Sequence, residues 1–203
     1  MTDYGLDLAV IGNGRTAALL DPSARITWWC LPRYDGDPVF CRLLSGSEEK
    51  GFTDIVLEGQ VETRSDYVRN TATVVTDLID NKGGAVRVTD FAPRFQIYGR
   101  TFRPPQLIRI IEPIAGMPRI IIRFRTTHRY GEPVASRSSG SNHIRYWRDD
   151  VPVRLTTDAP LSYVENEASF VLTRPVHMVF GTDEPFEGSL ESTCRDFCDR
   201  TRD

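Results

Sequence analysis

The feature that most constrains this chain is the turn signal Gly12-Asn13-Gly14, which stands only a few residues ahead of a second one, Asp21-Pro22. Because the apolar run Leu8–Ile11 precedes it, the spacing Gly12-x-Gly14-x-x-Ala17 looks like a dinucleotide-binding fingerprint. That fingerprint requires a helix directly after the glycines, with its N-terminus holding a pyrophosphate. Thr16–Leu20 is too short for a crossover helix, and the next segment, Ile26-Thr27-Trp28-Trp29, is β-rich. Asn-Gly is instead a strong hairpin signal, since both central positions of a type I′ turn take positive φ. The stretch therefore reads as three consecutive strands, roughly 6–11, 16–20 and 25–30.

The remainder continues in the same idiom. Strand-like runs fall at 52–57 and 61–69, and those at 73–79 and 85–91 flank the glycine-containing loop Asp80–Gly84 as a hairpin. Runs at 106–114 and 119–127 read as a second pair, separated by Ala115-Gly116-Met117-Pro118. Further runs lie at 142–148, 151–157, 161–165, 168–173 and 176–181. The Arg- and aromatic-rich stretch ending in Pro104-Pro105 reads as an irregular solvated loop with a few buried aromatic anchors, and Ser136–Ser141 as a flexible turn. Many short strands at this spacing predict an all-β fold, a two-layer antiparallel β-sandwich. Helix is expected in two places. Val39, Phe40, Leu43 and Leu44 predict a short one over 39–45, ended by Ser45-Gly46. Leu190, Cys194, Phe197 and Cys198 recur at spacings of three and four, predicting an amphipathic helix over 189–203 with Ser189 as N-cap.

Composition removes several function classes. A net charge of -3 without a polybasic run gives no electrostatic basis for binding nucleic acid or a membrane surface. The N-terminus, MTDYGLDLAV, lacks the basic region and apolar core of a signal peptide, which points to a cytoplasmic protein. Cys30, Cys41, Cys194 and Cys198 lack paired metal-ligand spacing, and His128, His143 and His177 are scattered. Neither metal nor cofactor is expected, and the cysteines read as buried thiols.

The opening stretch also carries a resemblance. Tyr4-Gly5, Ile11-Gly12-Asn13-Gly14-Arg15-Thr16-Ala17-Ala18-Leu19, Asp21-Pro22, Ile26-x-Trp28, Cys30-Leu31-Pro32-Arg33-Tyr34-Asp35 and Pro38-Val39-Phe40 resemble the start of bacterial glycoside hydrolase family 15 proteins, the glucoamylase and trehalase-like enzymes. The likeness is dense over 4–44 and stays collinear through Val88–Pro93 and the Arg-rich strands near 119–125. Tyr34 and Gly36 depart from an expected Phe and Ser, and Trp28-Trp29 from Asp-Trp. The resemblance implies a supersandwich-like N-terminal domain over 1–186. Residues 187–203 would then begin a linker helix to a helical-barrel catalytic domain. It further implies inverting hydrolysis of α-glucosides such as maltooligosaccharides, starch or trehalose in the parent protein, by two glutamates of the barrel. No residue of this chain is expected to be catalytic, and the chain alone is expected to be inactive.

The loop Arg33–Pro38 is the candidate for a contribution to substrate binding. Arg33 and Asp35 supply bidentate hydrogen-bonding groups suited to vicinal hydroxyls, and Tyr34 an aromatic face; an Arg–Asp pair two residues apart can equally lock a loop. Adjacent tryptophans on a strand point to opposite faces, so one is core and the other is available for stacking on a sugar; Trp29 is taken as that candidate. The partners expected are the chain's own helical barrel and an α-glucan or α-glucoside. Two alternatives stand beside this reading: a free-standing carbohydrate-binding module, and a structural domain that packs on the barrel or forms a homodimer.

Overall fold

The computed structural model describes residues 7–202, so Tyr4-Gly5, the start of the first expected strand at Leu6 and the helix end at Asp203 lie outside the described residues. Two antiparallel sheets form a sandwich. The first has seven strands in the order Ala9–Gly12, Ala17–Leu20, Ile26–Cys30, Phe52–Leu57, Arg119–Arg125 and Phe170–Val171, with Pro38–Phe40 paired onto Ile26–Cys30. The second has eight, in the order Arg137–Ser139, His143–Tyr146, Val153–Thr157, Val176–Gly181, Gln106–Ala115, Ala85–Phe91, Val74–Asp80 and Gln60–Tyr67. The expected meander at the start is present. The two sheets also meet along one side, where the Tyr67 hydroxyl donates to the Val10 carbonyl at 3.0 Å.

Alternation explains the layers, because successive side chains in a strand point to opposite faces. Ile120, Ile122 and Phe124 of the first sheet and Val86 and Val88 of the second are buried between the layers. Trp29 and Phe40 meet Phe180 of the opposite sheet at ring-centroid distances of 5.6 and 6.4 Å. Full burial of an aromatic of this size contributes about 3 kcal/mol. The same interior holds an ion pair: Arg109 donates to Asp90 through Nε at 2.7 Å and Nη2 at 3.0 Å, and both side chains are fully buried. Nη2 also donates to the Ala24 carbonyl at 2.5 Å, so the guanidinium spans from one sheet to a turn of the other.

The C-terminal helix forms at Leu190–Arg202, and the Ser189 hydroxyl accepts from the Ser192 amide at 3.3 Å, as an N-cap does. Its Cys194 and Cys198 face bury against Phe91, Ile108, Ile110 and Val179 on the outer side of the second sheet. The short helix forms at Arg42–Ser45 and ends at Gly46 with φ 62°, while Val39 and Phe40 ahead of it pair as a strand.

Four local expectations change. Gln106–Ala115 and Arg119–Arg125 do not pair. The first joins Val176–Gly181 and Ala85–Phe91 in one sheet, the second joins Phe52–Leu57 in the other, and the turn between them carries the chain across. Residues 161–165 are a helix, Leu161–Glu165, packed on Arg119–Arg125. The stretch 94–105 contains a hairpin, Phe95–Ile97 with Arg100–Phe102, whose Phe95 and Phe102 stack against Phe197 of the last helix. Within 136–141, Arg137–Ser139 is an edge strand of the second sheet. Among the described residues no helix is long and apolar enough to cross a membrane.

Candidate functional site

Pairing register gathers the connecting segments of interest at one end of the sandwich. Gly12 lies opposite Ala17 and Ala18 opposite Trp29, so the 13–16 turn and the 31–38 loop leave from the same edge. Phe52 opposite Arg125 brings in the hairpin Thr127–His128 with Glu132–Pro133. Tyr146 opposite Val153 adds the 147–152 loop. Binding residues are disproportionately found on loops held by a rigid scaffold, and this end has that form.

The 31–38 loop is tied down by Asp37. The Asp37 carboxylate accepts from the backbone amides of Arg129 at 2.7 Å and Tyr130 at 2.9 Å, and from Nη2 of Arg148 at 2.7 Å. The Arg148 side chain is fully buried. It also donates to the Asp37 carbonyl at 2.7 Å and to the Thr127 carbonyl at 3.0 Å. Asp37 thus fastens the loop to the 127–133 hairpin, whose Arg129 and Tyr130 hold φ of 45° and 57°. Such left-handed backbone at non-glycine residues costs of order 1 kcal/mol each and persists where its surroundings over-determine it. Two charge-assisted bonds to their amides supply that determination.

On this anchored base Arg33, Tyr34 and Asp35 stand out into solvent. Nε and Nη2 of Arg33 donate to the two Asp35 oxygens, each at 3.0 Å. The side chains are 77% and 71% exposed, so the pair is worth little to stability and yields at low cost to a competing ligand. The Gly36 amide donates to the Arg33 carbonyl at 3.0 Å, closing the turn. A Cβ at Gly36 would lie 2.8 Å from the Leu31 carbonyl oxygen, which explains the absence of a side chain here. Tyr130 and Trp147 are exposed from the neighbouring hairpin and loop, and Arg129 Nε donates to Asp149 at 2.6 Å. The end as a whole offers aromatic faces beside ion pairs, of which Arg33–Asp35 is bidentate.

Trp29 does not join them. It is wholly buried, its Nε1 donates to the Thr16 hydroxyl at 2.8 Å, and Phe40 and Phe180 cover its rings, leaving no face for a sugar. The half-buried tryptophan of the pair is Trp28. Arg33, Tyr34 and Asp35 are brought together as the sequence suggested; Asp37, Arg148, Arg129 and Tyr130 were missed. The only signal for Asp37 was its position between Gly36 and Pro38 in a stiff loop, which does not distinguish it from Asp35.

The thiols nearby are unsuited to nucleophilic work. Burial, with the Asp37 charge adding to it, pushes Cys30 up to about 11, and burial likewise raises Cys41. The Asp90 carboxyl is raised by burial against the opposing pull of Arg109, yet it lies inside the core where no substrate reaches. No group of three or more His, Cys, Asp or Glu able to hold a metal ion occurs among the described residues.

Comparison with known proteins decides the family. The sequence profile described as "Trehalase-like, N-terminal" matches residues 6–168, most of the chain. The chain belongs to the trehalase-like N-terminal family. A trehalase from Thermoplasma volcanium is 28% identical over 153 residues, which is 74% of this chain and 24% of the relative. The trehalase-like N-terminal domain described here therefore spans about a quarter of the curated relative it matches. No solved structure matches it.

Proposed function

We propose that the chain is the non-catalytic N-terminal domain of a cytoplasmic glycoside hydrolase of family 15, trehalase- or glucoamylase-like. In the parent it packs on a catalytic helical barrel and lends the loop Arg33–Pro38 to the mouth of an α-glucoside pocket. The observation that carries this reading is the match to a protein named a trehalase over only 24% of that protein's length, which leaves ample chain for a catalytic domain. The anchored loop supports the second half. Asp37 and Arg148 fix its base while Arg33, Tyr34 and Asp35 remain exposed, so ordering costs on binding are small.

Inverting glycoside hydrolysis needs an acid and a base carboxyl roughly 6.5–9.5 Å apart around the scissile bond. The proposal places both in the barrel. The present chain binds and orients, and its charged groups reach hydroxyls that the barrel alone leaves unpaired. The test is Asp35→Ala in the parent protein. It should lower turnover or weaken substrate binding while the melting temperature of the 203-residue chain stays nearly unchanged. Unfolding of the chain together with intact specific activity in the parent would make the loop purely structural. Exposed Tyr34, Tyr130 and Trp147 at the same end also suit a free-standing carbohydrate-binding module. Calorimetric titration of the chain with maltooligosaccharides separates the two, because only a free-standing module binds them without a barrel.

A further inference from the structure

The Asn13–Gly14 turn closes the first hairpin and also reaches beyond it. Of the two residues only Gly14 takes positive φ, at 80°, and Asn13 is buried. Asn13 Oδ1 accepts from the amides of Arg15 at 2.9 Å and Thr16 at 3.1 Å, forming the turn through its side chain. Its Nδ2 donates to the carbonyls of Pro93 at 3.0 Å and Pro104 at 2.7 Å. One amide therefore staples both ends of the 93–104 excursion. The residues just inside those staples are Arg94 and Arg103.

Both arginines lean over the glycine. Arg94 Nη1 donates to the Asn13 carbonyl at 3.2 Å, and Arg103 Nη1 reaches the Gly14 carbonyl at 3.5 Å. A Cβ at Gly14 would stand 3.2 Å from the first and 3.5 Å from the second, so both guanidiniums lie against this turn, and its φ of 80° is what favours glycine here. Arg15 and Arg100 are exposed on the turn and the adjoining hairpin. Among the described residues none of these four arginines has an ion-pair partner; the exposed Arg69, Arg137, Arg174 and Arg202 share that state, and what sets these four apart is that the turn and one hairpin carry all of them. Collecting unpaired positive charge at one place on a chain of net charge -3 costs electrostatic energy unless an anion neutralises it.

A cleft of about 550 Å³ opens beside them, lined by Arg94, Phe95, Gln96, Thr101, Arg200 and Thr201. Its floor is fixed: the Arg200 guanidinium stacks 4.0 Å from the Phe95 ring centroid and donates to the Gln96 carbonyl at 3.1 Å, and the Arg94 amide donates to the Thr201 hydroxyl at 3.2 Å. Among the described residues Arg200 pairs with Asp196, at 3.5 Å on the same helix.

We propose that this cluster is a docking site for an acidic peptide segment, with Arg94 and Arg103 as the primary carboxylate contacts and Arg15, Arg100 and Arg200 flanking them. Each guanidinium has five N–H donors, and Arg94 and Arg103 each spend one on the turn, leaving donors free for bidentate pairing with a carboxylate. The open cleft and its hydroxyl and amide lining suit an extended chain better than a single small ion, and the overall negative charge disfavours a long polyanion such as nucleic acid. The inference does not rest on the hydrolase reading, since it concerns this chain alone.

The test is fluorescence anisotropy of a labelled hexaglutamate peptide titrated with the 203-residue chain at low ionic strength, with inorganic phosphate as competitor. Saturable binding is expected, weakening as salt is added. The double variant Arg94→Gln/Arg103→Gln should lose at least about tenfold in affinity. Arg64→Gln, on the exposed edge strand, should bind as the unaltered chain does. The substituted residues are exposed, and circular dichroism melts serve to check that each variant is folded; Arg94→Glu/Arg103→Glu should abolish binding. Absence of binding, or equal losses in the double variant and in Arg64→Gln, overturns the proposal. Phosphate binding through Arg94 and Arg103 without peptide binding overturns it in favour of a small-anion site.

Discussion

Asp35 and Asp37 stand two residues apart in one loop, and their removal should have very different consequences. Asp37→Ala deletes an acceptor of two backbone amides and the carboxylate partner of Arg148, a guanidinium with no solvent exposure. Breaking a buried pair by removing one partner costs about 3–5 kcal/mol. Two features reduce that here. Asp37 itself is 21% exposed, and Arg148 keeps the Asp37 and Thr127 carbonyls and lies 3.5 Å from Asp150. The expected loss is therefore about 2–3 kcal/mol, with the orphaned Arg129 and Tyr130 amides largely rehydrated. For a domain of this size that corresponds to a fall in melting temperature of about 4–12 °C. Asp35→Ala breaks an exposed pair and should move the midpoint by about 2 °C or less. Asp37→Asn keeps one acceptor without the charge and should fall between. Thermal melts of the three variants, followed by near-ultraviolet circular dichroism, make the comparison. Midpoints of Asp35→Ala and Asp37→Ala within a degree or so of each other would refute the assignment of Asp37 as the loop's anchor.

Other outcomes follow from groups away from the loop. Arg109→Met should destabilise the chain by about 3–5 kcal/mol in denaturant titration, since it leaves Asp90 buried without its counter-ion; the double variant with Asp90→Leu should recover most of the loss. Burial pushes the Asp183 carboxyl up, but hydrogen bonds and charge from Arg145 and Arg154 outweigh it and hold it below its ordinary value of 3.8. Its contribution to stability is therefore present above that value and lost as pH falls through the lower folded value, so Asp183→Asn should flatten the acid limb of stability against pH. Burial raises the Cys194 thiol to about 12, and Cys198 is raised as well. Iodoacetamide at mild alkaline pH should leave both unlabelled in the folded chain and label them once the Leu190–Arg202 helix detaches, as read by mass spectrometry.

Much of the fold is legible in the sequence because alternation and turn residues act locally. The hairpin around Asp80–Gly84 and the three opening strands follow from them directly. The failures are failures of non-local information. Consecutive strands are usually neighbours, so Gln106–Ala115 and Arg119–Arg125 look like a hairpin, yet each pairs with strands elsewhere in the sequence, in different sheets. Leu161–Glu165 is too short for its period to distinguish helix from strand. Phe95 and Phe102 read as anchors of a loop because Phe197, nearly a hundred residues later, is what makes their hairpin a packed element. At the candidate site residue types were readable and roles were not. Arg33 with Asp35 and Arg148 with Asp37 use the same chemistry, and only burial separates an exposed pair from an anchor.

The second sheet is assembled out of sequence order, and that bears on how the chain is made. Val176–Gly181, the last strand among the described residues, is inserted between Gln106–Ala115 and Val153–Thr157 near the middle of the sheet. About sixty residues separate it from the end of its earlier neighbour. At typical ribosome speeds that gap lasts roughly 3–12 s, during which Gln106–Ala115 presents an open backbone edge and apolar side chains. That interval is the stage of synthesis at which the chain is most open to edge-to-edge association. A premature stop between 116 and 175 would make the vulnerable state permanent, yielding an aggregating product instead of a smaller soluble domain.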